Sequence, residues 1–419
     1  MKVLKNKLLV IALGVVALVA FVFSLESYQK TAELEERVEF QTELRNVIDD
    51  AFKPGVVNFP EKLNVDGNSY SINYSVNQDL TDHIRKLLKR YRPDYTAVVV
   101  IDNNNGNILS AIGHQRQNNQ ANDVLAFTST HPSASLFKIV TSASLLDNGS
   151  ITEDSRFKYR GKGTTLYKYQ LKNKESRWTR TQDLKSAFAH SNNVVFGKAA
   201  INNISSEDLF QMAERFGFNE DLMVDVNLSK SRFLHAHSDY HLAELASGFN
   251  KDTLISPIHG AVLASVVANE GTLIYPRLVL DISSTDEKNE VVWNNTIRKK
   301  EVFTQESAQY IEELMEYTVK RGTARRLERG LPYKLRRDLA VGAKTGSITG
   351  GIPEGKRDWV SVFAKPNYKG AKDKGISICV MIVNQKKWYI KSTLLAEKII
   401  EYYYKTVSPL NEIASLTSN

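Results

Sequence analysis

The stretch 129–146, STHPSASLFKIVTSASLL, decides how the rest of the chain is read. It reads as a loop broken by Pro132 and followed by an apolar helix, with Ser135 at or near the helix start. Ser135 and Lys138 stand three positions apart. On a helix that spacing puts hydroxyl and amine on one face, one turn apart, so the amine can take the hydroxyl proton. Unpaired N–H groups and the helix dipole at such a start favour the oxyanion that a nucleophilic serine passes through. The spacing alone is weak evidence, since Lys-rich chains produce it by chance and Ser27-Tyr-Gln-Lys30 is a second copy.

Two later stretches complete the chemistry around the first copy. Ser191-Asn-Asn193 ends a short helix over 184–190 and offers a second hydroxyl and an amide. Lys344-Thr-Gly346 lies in a strand over 339–347. There a cation and a hydroxyl can hold a substrate carboxylate, while Gly346 leaves room for a substrate backbone alongside. Together these groups supply what acyl transfer from an amide requires. They give a nucleophile, a base, a proton route to the leaving nitrogen and an anchor for a terminal carboxylate.

Away from these stretches the chain has ordinary globular composition: 419 residues, 42% apolar, 9% aromatic and 24% charged. Lys2, Lys5 and Lys7 precede an uncharged apolar run, Leu8 to Phe23. With no small-x-small cleavage site after it and no lipid-accepting cysteine, the run is expected to be an uncleaved single-pass anchor in the inner (cytoplasmic) membrane. The lysines then stay in the cytoplasm and the rest of the chain is exported. A net charge of +8 suits an exported protein among anionic lipids and an anionic cell wall, and calls for no nucleic acid.

The elements follow in order. Residues 26–52 carry apolar Leu34, Val38, Leu44, Val47 and Ile48 at a loose helical period, a stalk ended by Pro54-Gly55. Asp66-Gly67 marks a hairpin between 62–65 and 70–76, and Asn77 or Asp79 caps a helix that Pro93 stops. Strands are expected over 97–102, 108–112, 273–282, 290–293, 339–347, 358–364 and 376–383. Helices are expected over 208–216, 259–269, 305–319 and 393–404.

The chain resembles the penicillin-binding serine D,D-transpeptidase family, whose Ser-x-x-Lys, Ser-x-Asn and Lys-Thr-Gly motifs occur in the order of Ser135, Ser191 and Lys344. The flanks are similar as well, among them Ala97 to Leu109, Phe137 to Ala143, Ala189 to Phe196, Glu214 to Phe218, Ser256 to Pro276 and Gly322-Thr-Ala324. The resemblance covers about 62–404. It implies a mixed α/β, transpeptidase/β-lactamase-like fold: an antiparallel sheet flanked by helices, an all-helical subdomain carrying Ser135 and Ser191, and an N-terminal membrane anchor. The expected organisation is a cytoplasmic N-terminus 1–7, anchor 8–25, stalk and linker 26–58, transpeptidase domain 59–406 and polar tail 407–419.

Carried onto this sequence, the resemblance implies that Ser135 attacks the penultimate D-Ala carbonyl of a peptidoglycan stem peptide and releases the terminal D-Ala. Lys138 in neutral form would take the Ser135 proton, its pKa lowered by Lys344 and desolvation, and Ser191 would relay a proton to the leaving nitrogen. Asn193 would hold the substrate amide and orient Lys138. Lys344, Thr345 and Gly346 would bind the substrate strand, with the N–H groups of Ser135 and Ser347 as oxyanion hole. β-Lactams would acylate Ser135, and no metal or cofactor is called for. Two departures stand out: Ser133-Ala134 follow Pro132 where the family often has Pro-Gly before the serine, and no glycosyltransferase domain precedes the catalytic one. Glycan polymerisation is therefore not expected, and a glycan polymerase or other wall-synthesis protein is an expected partner. The alternatives are a D,D-carboxypeptidase, a class-D-like β-lactamase, and a β-lactam sensor or idle scaffold.

The remaining features take plain readings. Cys379, the single cysteine, is expected in a buried strand. His235, His237 and His241 lack a carboxylate or cysteine set at a familiar metal spacing. Tyr402 to Tyr404 fit packing of the closing helix. The basic run through Lys320-Arg321, Arg325-Arg326 and 334–337 is assigned to a solvated face, with wall or membrane contact as its functional option.

Overall fold

The computed structural model describes residues 2–51, 59–65, 67–286, 288–368 and 370–410. Six strands form the central sheet: β1 (Tyr95–Asp102), β2 (Ile108–Gln115), β3 (Gln120–Ala121), β4 (Leu339–Thr349), β5 (Lys356–Pro366) and β6 (Ile376–Asn384). Their order is β4-β5-β6-β1-β2-β3, with every neighbouring pair antiparallel. The N-terminal hairpin is thus zipped onto the C-terminal strand, Ala97 opposite Met381 and Ile101 opposite Ser377. The Lys344 strand is left as one edge.

The helices used below are α1 (Lys2–Ala51), α2 (Lys138–Asp147), α3 (Leu184–Ala189), α4 (Asn193–Asn203), α5 (Asp239–Ser247), α6 (Pro257–Ala268), α7 (Gln305–Arg321) and α8 (Ser392–Tyr402). Period-two alternation sends successive side chains of β1 to opposite faces of the sheet. Ala97, Val99 and Ile101 join the core that contains α6, whereas Val98 and Val100 join the core that contains α8. Both faces are covered, which is why β6 is buried from Ile376 to Asn384. Every residue of α6 is buried. At Gly260 a Cβ would lie 2.5 Å from Cys379 Sγ, so glycine lets the helix settle on the sheet, and Ser361 Oγ donates to the Gly260 carbonyl at 2.7 Å. Cys379 is the buried core residue the sequence suggests, and burial pushes its thiol pKa up.

α1 is one continuous helix of 50 residues, joining the stretches read as anchor and stalk. Its last turns dock through Phe40, Leu44 and Ile48, all buried, with the Phe40 ring edge-on to Tyr70 at 5.1 Å. Burying three such side chains stabilises this seat by about 1.5–3 kcal/mol each. Gln41 and Arg45 also donate to the Val224 carbonyl at 2.7 and 2.8 Å. Leu34 and Val38, which share the loose apolar period of the stalk, are exposed, because the buried stripe is set by Phe40 four residues before Leu44. Among the described residues no helix is long and apolar enough to cross a membrane. The side chains of 2–13 and 15–17, on which most of the expected anchor falls, lie outside the described residues, as do Met1, 52–58 and the tail 411–419.

One expected strand is corrected. The run 273–282 is two strands, Thr272–Ile274 and Val279–Ser284, separated at Pro276, which has no N–H for a ladder. The first pairs with Lys299–Glu301. The second joins the hairpin Lys62–Val65 and Asn68–Tyr74 and the strand Val291–Asn294 in a separate four-stranded sheet. Tyr404 is buried and donates to the Ala364 carbonyl at 2.7 Å, and Tyr402 stacks on His83 at 3.8 Å, consistent with packing of the closing helix.

Candidate active site

Ser135 lies in the 3-10 turn Ala134–Phe137 that runs directly into α2. The loop before it is pinned from three sides. Ser133 N donates to the Thr253 carbonyl at 2.9 Å, Trp359 Nε1 donates to the Pro132 carbonyl at 3.1 Å, and the buried Arg357 guanidinium meets His131 Nδ1 at 3.1 Å. Burial holds His131 down at about 3, so the ring is neutral beside the cation. Where the family often has glycine, Ala134 adopts φ +50°, so the left-handed turn survives with an alanine in it.

Lys138 is fully buried at the first turn of α2, and its Nζ sits 2.9 Å from Ser135 Oγ. The same nitrogen donates to Asn193 Oδ1 at 2.7 Å and to the Ser247 carbonyl at 2.5 Å. A neutral amine has two N–H bonds and one lone pair. With two carbonyl oxygens taking the N–H groups, the lone pair is left for the Ser135 hydroxyl. Burial, followed by the second amine of Lys344, holds the Lys138 pKa well below the lysine range. Lys344, also fully buried, is brought down by burial to about 7. Both amines lie over aromatic rings, Lys138 5.5 Å from the Phe196 centroid and Lys344 5.3 Å from that of Phe188.

Ser191 follows α3 with φ +55°, a backbone state rare for serine, and Lys344 Nζ donates to its Oγ at 3.1 Å. Asn192, not singled out in the sequence, caps α4 by accepting from Val194 N and Val195 N at 3.1 and 3.2 Å. That cap aims the next residue, Asn193, at Lys138. Asn193 is further tied by its N–H to the Gly163 carbonyl at 2.7 Å and by its Nδ2 to the Thr164 carbonyl at 3.2 Å.

Lys344, Thr345 and Gly346 present the free edge of β4 to this group. At Gly346 a Cβ would stand 3.2 Å from Ala134 Cβ and 3.3 Å from Ser135 N, so the strand passes the nucleophile at van der Waals distance. Ser347 follows, exposed. Thr345 Oγ1 shares a hydrogen bond of 2.5 Å with Thr323 Oγ1, a partner the sequence did not indicate. All the motif residues expected from the sequence therefore converge. The other Ser-x-x-Lys copy, Ser27 to Lys30, lies exposed on α1. The His237 and His241 rings lie tilted with centroids 4.0 Å apart, and His235 stacks on Phe210 at 3.7 Å.

Gly248 is a further residue that sequence reasoning missed. It ends α5 at φ +66°, and a Cβ there would meet the Ala134 carbonyl oxygen at 1.9 Å and Ser135 N at 3.2 Å. Gly248→Ala is expected to destabilise the fold by about 2–4 kcal/mol through backbone strain and overpacking. The displaced nucleophile loop should also slow acylation. Thermal unfolding together with the rate of acylation by a fluorescent β-lactam checks both effects.

Residues 96–401 match the family described as "Penicillin binding protein transpeptidase domain". No curated protein matches the chain in sequence. Among solved structures, the chain is similar to the D,D-transpeptidase domain of a peptidoglycan glycosyltransferase from Eggerthella lenta, with 20% identity and TM-score 0.64 over 81% of this chain and 84% of that one. It is similar to penicillin-binding protein A from Mycobacterium tuberculosis in its ceftriaxone acyl-enzyme complex, with 18% identity and TM-score 0.62 over 80% of this chain and 79% of that one. It is also similar to penicillin-binding protein 3 from Mycobacterium tuberculosis complexed with aztreonam, with 15% identity and TM-score 0.66 over 81% of this chain and 80% of that one. At these identities the structures speak for the mixed α/β transpeptidase fold, while the family match spans most of the chain. The protein therefore belongs to the penicillin-binding protein transpeptidase family.

Proposed function

We propose that the protein is a serine D,D-transpeptidase that crosslinks peptidoglycan stem peptides ending in D-Ala-D-Ala and is acylated by β-lactams. The observation that carries this reading is the lone-pair geometry of Lys138, 2.9 Å from Ser135 with its N–H groups committed to Asn193 and Ser247. Ser135 Oγ adds to the penultimate carbonyl as Lys138 takes its proton. Oxyanion stabilisation falls to N–H groups of Ser135 and Ser347. The peptide C–N bond then breaks and the leaving nitrogen gains a proton through Ser191, which Lys344 supplies from 3.1 Å. Lys344 and Thr345 hold the terminal carboxylate, and the substrate backbone runs along Gly346. An amine of a second stem attacks the acyl-serine and gives a proton through Ser191 back to Lys344, while the Lys138 ammonium returns its proton to the Ser135 oxygen as the ester bond breaks. A β-lactam enters the same path, but its leaving nitrogen stays tethered and blocks the incoming amine.

We further propose that α1 anchors the catalytic domain on the extracytoplasmic face of the cytoplasmic membrane. The Lys2, Lys5 and Lys7 cluster before the apolar run supports this, as do the exposed Leu18, Phe21 and Phe23 on a helix continuous with the docked stalk. The test is incubation of the full chain with a D-Ala-D-Ala stem peptide and a second, amine-bearing stem, read by mass spectrometry. Crosslinked product with release of one D-Ala is expected. Release of D-Ala with only hydrolysed stem would make the protein a carboxypeptidase, and rapid turnover of penicillin would make it a lactamase.

A further inference from the structure

The basic run assigned by sequence to a solvated face does something more specific in the fold. Arg321, Arg325, Arg326 and Arg329 converge with His190 and Thr323 on a cleft of about 700 Å³. Arg326 is matched by Glu397 at 3.3 Å. Arg321, Arg325 and Arg329 are exposed and their guanidinium groups form no ion pair or hydrogen bond among the described residues, and Glu328 of the same turn does not line the cleft. Like charges gathered on one wall repel, so the arrangement lowers stability unless an anion fills it. Guanidinium forks match a carboxylate in bidentate geometry.

The cleft adjoins the catalytic centre through two short links. His190 immediately precedes Ser191, and Thr323 bridges Thr345 Oγ1 at 2.5 Å while its N–H holds the Ala189 carbonyl at 3.1 Å. Thr345 marks the leaving-group end of the bound strand. By microscopic reversibility, an amine attacking the Ser135 ester arrives where the leaving amine departed. Whatever continues from that amine passes the leaving-group end, and the cleft beyond it is large enough for a short peptide. We infer that this cleft is the subsite for the second, amine-bearing stem peptide and that Arg321, Arg325 and Arg329 bind its carboxylates. The inference rests on the transpeptidase reading above.

The test compares wild type with Arg321→Gln/Arg325→Gln/Arg329→Gln in the full chain. Labelling by fluorescent penicillin should stay within about two-fold, since these arginines lie outside the Ser135, Lys138 and Asn193 cluster. With a fixed donor, wild type should crosslink an acceptor bearing free carboxylates in preference to the same acceptor with its carboxylates amidated. The variant should lose that preference, with KM for the carboxylate acceptor raised about 10-fold or more and kcat little changed. Raising salt should erode the wild-type preference alone. Equal use of both acceptors by wild type, or an unchanged KM in the variant, would overturn the inference. Calorimetric titration of the carboxylate peptide into penicillin-acylated protein reads the subsite even if no crosslinking occurs. Tighter binding to wild type than to the variant supports the subsite though the transpeptidase reading fails, and equal binding sinks it. Loss of binding to anionic lipid vesicles, with peptide binding intact, would reassign the arginines to a membrane and overturn it too.

Discussion

Replacing Ser135 with alanine is expected to reduce covalent labelling by a fluorescent penicillin to background, a loss on the order of 10⁴-fold or more. The size follows from the absence of a substitute. Ser191 is the other motif serine, and its oxygen is held by the Lys344 amine while the Lys138 lone pair faces Ser135. Water cannot leave a stable adduct on the chain. The fold should survive, because Ser135 is half-buried and the change removes one hydrogen bond, worth about 1 kcal/mol. In a domain of this size that shifts the unfolding midpoint by about 2 °C. Intact-mass analysis after penicillin treatment gives the answer directly: one adduct on wild type, none on the variant. An adduct on a normally folded Ser135→Ala protein would remove Ser135 from the nucleophile's role, whatever became of the motif geometry.

The parts of this site that could be read in the sequence are those carried by side chains. Ser135 and Lys138 are joined by helical spacing, and Lys344-Thr-Gly346 stands in a run that reads as a strand, so both sides of the cleft are legible in the sequence. The groups that went unread act through backbone. The Ser247 carbonyl that takes a Lys138 N–H, the Gly163 carbonyl that fixes Asn193, and Gly248 beneath Ala134 are ordinary residues until the tertiary fold brings them in. Thr323 is similar: Gly322-Thr-Ala324 resembles a family flank, but the hydrogen bond of its hydroxyl with Thr345 at 2.5 Å exists only in the fold. Conformation hid other features. Ser191 and Ala134 occupy left-handed backbone states for which a sequence reader would look for glycine, and surrounding contacts override that preference. Long-range pairing was equally silent, as in the zipper of β1 onto β6 or the capture of Val279–Ser284 by the Asn68–Tyr74 strand. Neither leaves a local trace, whereas Asn77 capping its helix through Leu80 N does.

Lys138→Met separates the chemistry from the packing more sharply than any change at the nucleophile. Methionine keeps the length and apolar stem but has no proton-accepting nitrogen, so acylation of Ser135 should slow by about 10²–10⁴-fold, the usual contribution of a general base. Stability should not fall in parallel. A lysine whose folded pKa lies below its unfolded value favours the unfolded state at pH values between the two, because the unfolded chain binds the proton more readily. That penalty is largest below the folded pKa and disappears as pH rises toward the unfolded value near 10.5. Removing the amine therefore relieves it at neutral pH, against the loss of hydrogen bonds that leaves Asn193 Oδ1 and the Ser247 carbonyl unpaired, so the variant is expected to melt within a few degrees of wild type. The pH profile adds a readout that packing cannot mimic. Saturating acylation by wild type should fall on the acid side as the coupled amines of Lys138 and Lys344 take up a proton. Lys344→Met removes the cation that depresses Lys138, so the acid limb should move to higher pH, and in Lys138→Met the residual rate should lose that limb. An acid limb that stays in place in both variants would mean that the proton leaves Ser135 by some route other than the Lys138 amine.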